Sequence, residues 1–90
     1  MEVIFIISFS ELREKEVINI RDGSRYGCVV DIIFNIETGN IAYLVIPMGT
    51  KFFGLMSGGQ ELRISYCDIE QIGDDLIIVN IDTSKCIHNY

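Results

Sequence analysis

Tyr26-Gly-Cys-Val-Val-Asp-Ile-Ile-Phe-Asn-Ile-Glu-Thr-Gly-Asn-Ile-Ala-Tyr-Leu-Val-Ile-Pro47 is the stretch from which the fold can be read. Two arms rich in β-branched and aromatic residues flank Glu37-Thr38-Gly39-Asn40, a short loop whose glycine suits a position with φ > 0. The pattern predicts a β-hairpin. In the first arm one alternate set is Tyr26, Cys28, Val30, Ile32 and Phe34, which is expected to favour one face and to bury Cys28. The other set also holds Val29 and Ile33, so a bulge near Asp31 that shifts the phase is a second reading. Ile41 to Ile46 is apolar in both phases, as a central strand should be, and Pro47 is expected to end it because proline cannot donate to a ladder.

Outward from the hairpin, Glu16 to Ile20 reads as a short strand closed by the turn pair Asp22-Gly23. Glu61 to Tyr66 alternates strictly, which places Leu62, Ile64 and Tyr66 inward and Glu61, Arg63 and Ser65 outward. Cys67 to Ile72 suits one helical or 3₁₀ turn, and Gly73-Asp74-Asp75 reverses the chain into a last strand, Leu76 to Ile81. The polar tail from Asp82 onward is expected to be loose. At the other end, Val3 to Phe9 reads as a strand that is covered on both faces or meets another molecule, and Ser10 to Lys15 as a connection or single helical turn. The sum is an all-β domain, a small antiparallel barrel of about six strands with one short helical turn near Cys67 to Ile72.

Composition narrows the class of function. Ninety residues make one domain, and 49% hydrophobic residues with a single proline exclude a disordered chain. Thirteen acidic and 7 basic residues give a net charge of −6, which argues against affinity won by neutralising phosphates, so no DNA partner and only weak RNA binding are expected. Arg13, Lys15, Arg21 and Arg25 alternate with Glu11, Glu14, Glu16 and Asp22, the arrangement of a solvated mixed-charge face. Cys28, Cys67 and Cys86 are odd in number and widely spaced, which suits idle thiols in a reducing, cytoplasmic setting. The apolar run Val3 to Ile7 is too short for a membrane span and lacks the flanks of a signal peptide.

Candidate chemistry is sparse. Asp31 lies in an apolar strand and needs a partner, a bulge or an exposed face, and no second titrating group accompanies it as a catalytic pair would require. Cys86-Ile-His88 and Cys67-Asp68 offer metal-ligand types without the four recognisable ligands that zinc takes. Asp74, Asp75 and Asp82 lack the spacing of a calcium loop and read as turn residues. Gly54 to Gly59 lacks the Gly-Lys-Ser/Thr of a phosphate loop. No catalytic, cofactor or metal site is therefore expected, and the chain reads as a non-enzyme. Phe52, Phe53, Leu55 and Met56 are different: four large apolar side chains in a glycine-flanked loop either cap the barrel or bind a partner.

Ser10-Glu-Leu, Glu16 to Ile20, Asp22-Gly23, Gly27-x-Val29-x-Asp31, Thr38-Gly39-x-Ile41, Val45-Ile-Pro47, Phe52-Phe-Gly54 and Ile69-x-x-Ile72-Gly73-x-Asp75 form an ordered series along the chain. The series resembles the PRC-barrel proteins of the small YlmC/YmxH group, which are associated with sporulation. The resemblance covers roughly Ser8 to Asp82, and family members often carry Pro-Trp where Ser65-Tyr66 stands here. It implies a non-enzymatic protein-interaction or scaffolding module without catalytic residues. Through the ribosome maturation factor RimM, a relative that contacts a ribosomal protein, it also implies an alternative as an RNA- or ribosome-associated factor. A barrel of this size cannot easily bury both the start of the chain, Val3 to Phe9, and the Phe52 to Met56 loop, so a homodimer is expected.

Overall fold

The computed structural model describes residues 6–48 and 59–89. The Phe52, Phe53, Leu55 and Met56 loop and the start of the expected N-terminal strand lie outside the described residues.

Where that strand was expected to continue, Ser8 instead caps a helical turn, α1 (Phe9–Leu12). The Ser8 hydroxyl accepts the Glu11 backbone N–H at 3.1 Å while Glu11 accepts the Ser8 N–H at 3.3 Å, a reciprocal capping box that satisfies two otherwise orphaned donors. The turn directs Leu12 into the core and leaves Ile6 and Ile7 exposed.

Among the described residues eight strands follow: β1 (Glu16–Asn19), β2 (Arg25–Cys28), β3 (Asp31–Phe34), β4 (Ile41–Met48), β5 (Gln60–Ser65), β6 (Ile69–Ile72), β7 (Leu76–Val79) and β8 (Ile87–Asn89). They form two four-stranded sheets, in the orders β2-β1-β7-β6 and β3-β4-β5-β8. The inner faces meet in one core, Val17, Ile77 and Val79 from the first sheet against Leu44, Ile46, Leu62 and Ile64 from the second, with Leu12, Val29 and Ile81 filling the ends. This is the expected all-β, small barrel-like fold, with three differences: eight strands are described where about six are expected, and two more concern their pairing. No ladder joins the two sheets among the described strands, and β1 runs parallel to β7, pairing Val17 with Ile77 and Asn19 with Val79. The chain leaves the first sheet after β2, lays down β3 to β5 of the second, and returns through β6 and β7 before β8 completes the second, so β1 and β7 lie side by side.

The expected hairpin is present as β3 and β4. Its loop is fixed by Asn35, whose side chain accepts the Glu37 N–H at 2.8 Å, and by Gly39 at φ 77°, a conformation that L side chains rarely adopt. The first arm is not one strand, however. A bulge at Tyr26 and Gly27, the latter at φ 90° and opposite Val17, sets Cys28 opposite Glu16, and the phase shifts again ahead of Asp31 as the chain passes from one sheet to the other. Val29 is thereby buried (1% exposed) and Val30 turned outward (55%), while Cys28 is exposed rather than buried as the alternation predicts.

Four further expectations are corrected. Pro47 lies within β4 instead of ending it. The Val45 carbonyl accepts the Val30 N–H, so Val45 and, two residues on, Pro47 direct their backbone groups to the side of β3, which stops opposite Val45. The missing proline donor thus faces none of the described strands. Glu61, expected outward, is buried and ion-paired to Arg63 on the same strand. The helical turn near Cys67 is a 3₁₀ turn over Tyr66–Asp68 only, and the next residues form β6. The tail is not loose: a second 3₁₀ turn, Thr83–Lys85, leads into β8, which pairs with β5.

Candidate interaction surface

Tyr66 follows β5 and opens the 3₁₀ turn, which Ser65 caps by accepting the Cys67 N–H at 3.3 Å. Alternation along β5 would send Tyr66 inward with Leu62 and Ile64, but a 3₁₀ turn does not alternate, and the ring emerges half exposed (50%). There it lines three adjoining hollows. One is formed with the hairpin, Ile41, Ala42 and Tyr43; a second with Ile6, Ile7, Ile72 and Asp74; a third with Ile69, Glu70 and Ile72. The second is held by the link from α1 into β1: Lys15 Nζ donates to the Asp74 carbonyl at 2.6 Å, and the Glu16 N–H to the Asp75 carbonyl at 3.0 Å. Ile6, Ile7, Tyr43, Tyr66, Ile72 and Leu76 are all exposed, and Phe34 and Ile36 extend the apolar character to the hairpin tip. Large apolar side chains gathered in this way make this the candidate surface for an interaction.

The opposite treatment of an aromatic is found at Tyr26. Asn19 is fully buried at the end of β1. Its Nδ2 donates to the Tyr26 hydroxyl at 3.0 Å and to the Ile81 carbonyl at 2.9 Å, and its Oδ1 accepts the N–H groups of Ile81 at 3.2 Å and Arg21 at 3.1 Å. The Tyr26 hydroxyl in turn meets the Thr83 hydroxyl. One amide thereby ties β1 and β2 to the chain leaving β7. The motif survey of the sequence missed this cluster, although one signal was available: Asn19 shares the inward phase of Val17 in a strand that is otherwise apolar at that phase.

The remaining candidates take structural positions. Asp31 is exposed, and its carboxylate accepts the Ile32 N–H at 2.8 Å. Asp82 caps the second 3₁₀ turn, and the Ser84 hydroxyl that donates to it holds its carboxyl below the usual aspartate value. The Arg25 guanidinium does the same for Glu16 across β1 and β2. Cys67 is exposed; Cys86 is half-buried against the core, and burial pushes its thiol up, with Asp68 and Asp82 adding to the effect. His88 lies on β8 opposite Glu61. Among the described residues no three His, Cys, Asp or Glu side chains converge as metal ligands would, and no helix is long and apolar enough to cross a membrane.

Two sheets around one small core, with an aromatic turn presented at the surface, define a small barrel-like β domain, and comparison with known proteins gives the class its name. The PRC-barrel domain model matches residues 6–85, and the chain belongs to the PRC-barrel family. It is 34% identical over 76 residues to the probable sporulation protein YlmC of Bacillus subtilis, covering 84% of this chain and 94% of that protein. It is 36% identical over 74 residues to YmxH of the same organism, an uncharacterized protein, covering 80% and 86% respectively. An uncharacterized protein of Clostridium acetobutylicum is 33% identical over 75 residues, 83% of this chain and 85% of its own length. No solved structure gives a significant match.

Proposed function

We propose that this PRC-barrel protein is a non-enzymatic, sporulation-associated interaction or scaffolding module that acts in the cytoplasm and recognises another protein. The observation that carries the reading is the apolar surface around Tyr66, held by capped turns and paired strands and therefore displayed on a fixed frame. A preformed surface spends little of its binding energy on ordering, which is what a docking module needs. The sporulation assignment rests on the similarity to YlmC. The cytoplasmic assignment is supported by three unpaired thiols, which suit a reducing compartment. The acidic balance of the chain favours a protein partner over RNA.

The same chain is proposed to form a homodimer through its apolar start, Val3 to Phe9, or through Phe52, Phe53, Leu55 and Met56. Affinity capture from sporulating cells, with and without nuclease, tests the main reading. A protein retained after nuclease treatment is expected; capture that disappears with nuclease would move the protein to the RNA-associated class. Light scattering at micromolar concentration tests the dimer, which a mass of 10.2 kDa independent of concentration would exclude.

A further inference from the structure

The hollows around Tyr66 differ from a plain apolar patch in what surrounds them. Ile6, Ile7, Tyr66 and Ile72 supply the apolar floor, while Glu11, Glu70 and Asp74 stand among the lining residues, and Asp75 lines the neighbouring hollow beside Leu76. Among the described residues that line these hollows four are acidic and one, Lys15, is basic, and its Nζ is already engaged by the Asp74 carbonyl. The acidic residues sit on three separate elements, α1, β6 and the β6–β7 turn, so the sign of the rim is a property of the assembled surface.

From this arrangement we infer that the Tyr66 surface binds a polypeptide segment in which apolar side chains alternate with lysine or arginine. The inference rests on the reading of the protein as an interaction module and names the chemistry of its partner. Apolar side chains would fill the hollows beside Tyr66, and cationic groups would meet Glu70, Asp74 and their neighbours at the wet edge, where charge sets encounter rate and partner choice more than final affinity. The other occupants fit worse. A second copy docked here by a two-fold axis would set the acidic rim against itself, so of the two proposed dimer contacts Phe52, Phe53, Leu55 and Met56 are favoured over the start of the chain, whose Ile6 and Ile7 belong to the hollow. A nucleic acid or an anionic lipid surface would meet the same repulsion, added to the net charge of −6.

The test uses the full chain and three fluorescein-labelled peptides: one of alternating leucine and lysine, one with glutamate in place of lysine, and one with serine in place of leucine. Fluorescence anisotropy should show binding of the leucine–lysine peptide alone. Its affinity should fall by about tenfold or more for Tyr66→Ser and for the Glu70→Lys, Asp74→Lys double variant. It should also weaken as salt is raised from about 50 to about 300 mM. All the substituted residues are exposed, and thermal melts of the variants check that they fold. Equal affinity of wild type and Tyr66→Ser, or equal binding of the glutamate peptide, would overturn the inference. A wild-type dimer that Tyr66→Ser converts to monomer would do so too, by assigning the surface to a second copy. Failure of the peptides alongside nuclease-resistant capture of a protein from cells rejects the partner chemistry alone. Peptide binding alongside nuclease-sensitive capture rejects the cellular reading alone.

Discussion

Tyr26 and Tyr66 occupy comparable places, each where the chain leaves or enters a strand at the margin of a sheet, yet one is turned into the fold and the other out of it. Tyr26 stands in β2, and its hydroxyl closes a chain of hydrogen bonds from the buried Asn19 to Thr83. Tyr66 stands in a 3₁₀ turn, and its ring forms a wall shared by three hollows. The difference follows from the backbone beneath them. Tyr26 is the extra residue at a bulge in β2, between Arg25 opposite Ile18 and Gly27 opposite Val17, and the hydrogen bonds of its hydroxyl commit it to the fold; a 3₁₀ turn rotates its residues around an axis, so Tyr66 is freed from the inward phase that β5 would impose. An aromatic with its polar end satisfied inside the protein stabilises the fold, and one with its ring displayed offers area to a partner.

The comparison is broken most severely at Asn19. Asn19→Ala removes both halves of a buried amide and leaves the N–H and C=O of Ile81 and the Arg21 N–H without that partner. Stranded buried groups cost more than the bond itself is worth, and a loss of about 3 kcal/mol in urea unfolding is expected. A loss below about 1 kcal/mol would mean that water replaces the amide. Tyr26→Phe keeps the ring and removes only the hydroxyl shared by Asn19 and Thr83, so about 1 kcal/mol is expected from the same measurement.

A smaller effect is predicted on the acid side of the stability profile. The folded-state carboxyl of Asp82 titrates below its unfolded value because Ser84 donates to it. Its contribution is therefore present above the ordinary aspartate value and lost as pH falls through the folded value. Asp82→Asn should flatten the acid limb of a pH–stability curve, and a steeper limb would contradict the sign. At the small end, Tyr66→Ser should change stability by less than about 0.5 kcal/mol, since the ring is half exposed and its turn is capped by Ser65.

The sequence was most legible where pattern and topology agree. Gly39 and its flanking arms announce the β3–β4 hairpin, and Leu62 and Ile64 announce the inner face of β5, because local turn chemistry and alternation are sufficient there. Legibility failed where a residue's face depends on which sheet the chain has joined. Cys28 and Val30 share a phase with Tyr26, but a bulge at Tyr26 sets Cys28 opposite Glu16 and the chain changes sheets after Cys28, and only the partners of β2 and β3 fix these shifts. β8 was hidden for a related reason: Ile87-His88-Asn89 carries too little pattern to announce a strand, and its place is supplied by pairing with β5. The Tyr66 surface was missed because alternation was extended one residue too far. Ser8-x-x-Glu11 was a readable capping box that would have replaced the expected strand end with a helix start.

The central claim is that Tyr26 serves the fold while Tyr66 serves a partner, and a paired measurement on Tyr26→Phe and Tyr66→Ser tests it most directly. Each variant is unfolded in urea and used in parallel for nuclease-treated capture from sporulating cells, beside the wild type. Tyr26→Phe should lose about 1 kcal/mol of stability and retain the captured protein, whereas Tyr66→Ser should keep its stability and lose the capture. Equal capture by wild type and Tyr66→Ser, with both folded, would contradict the account.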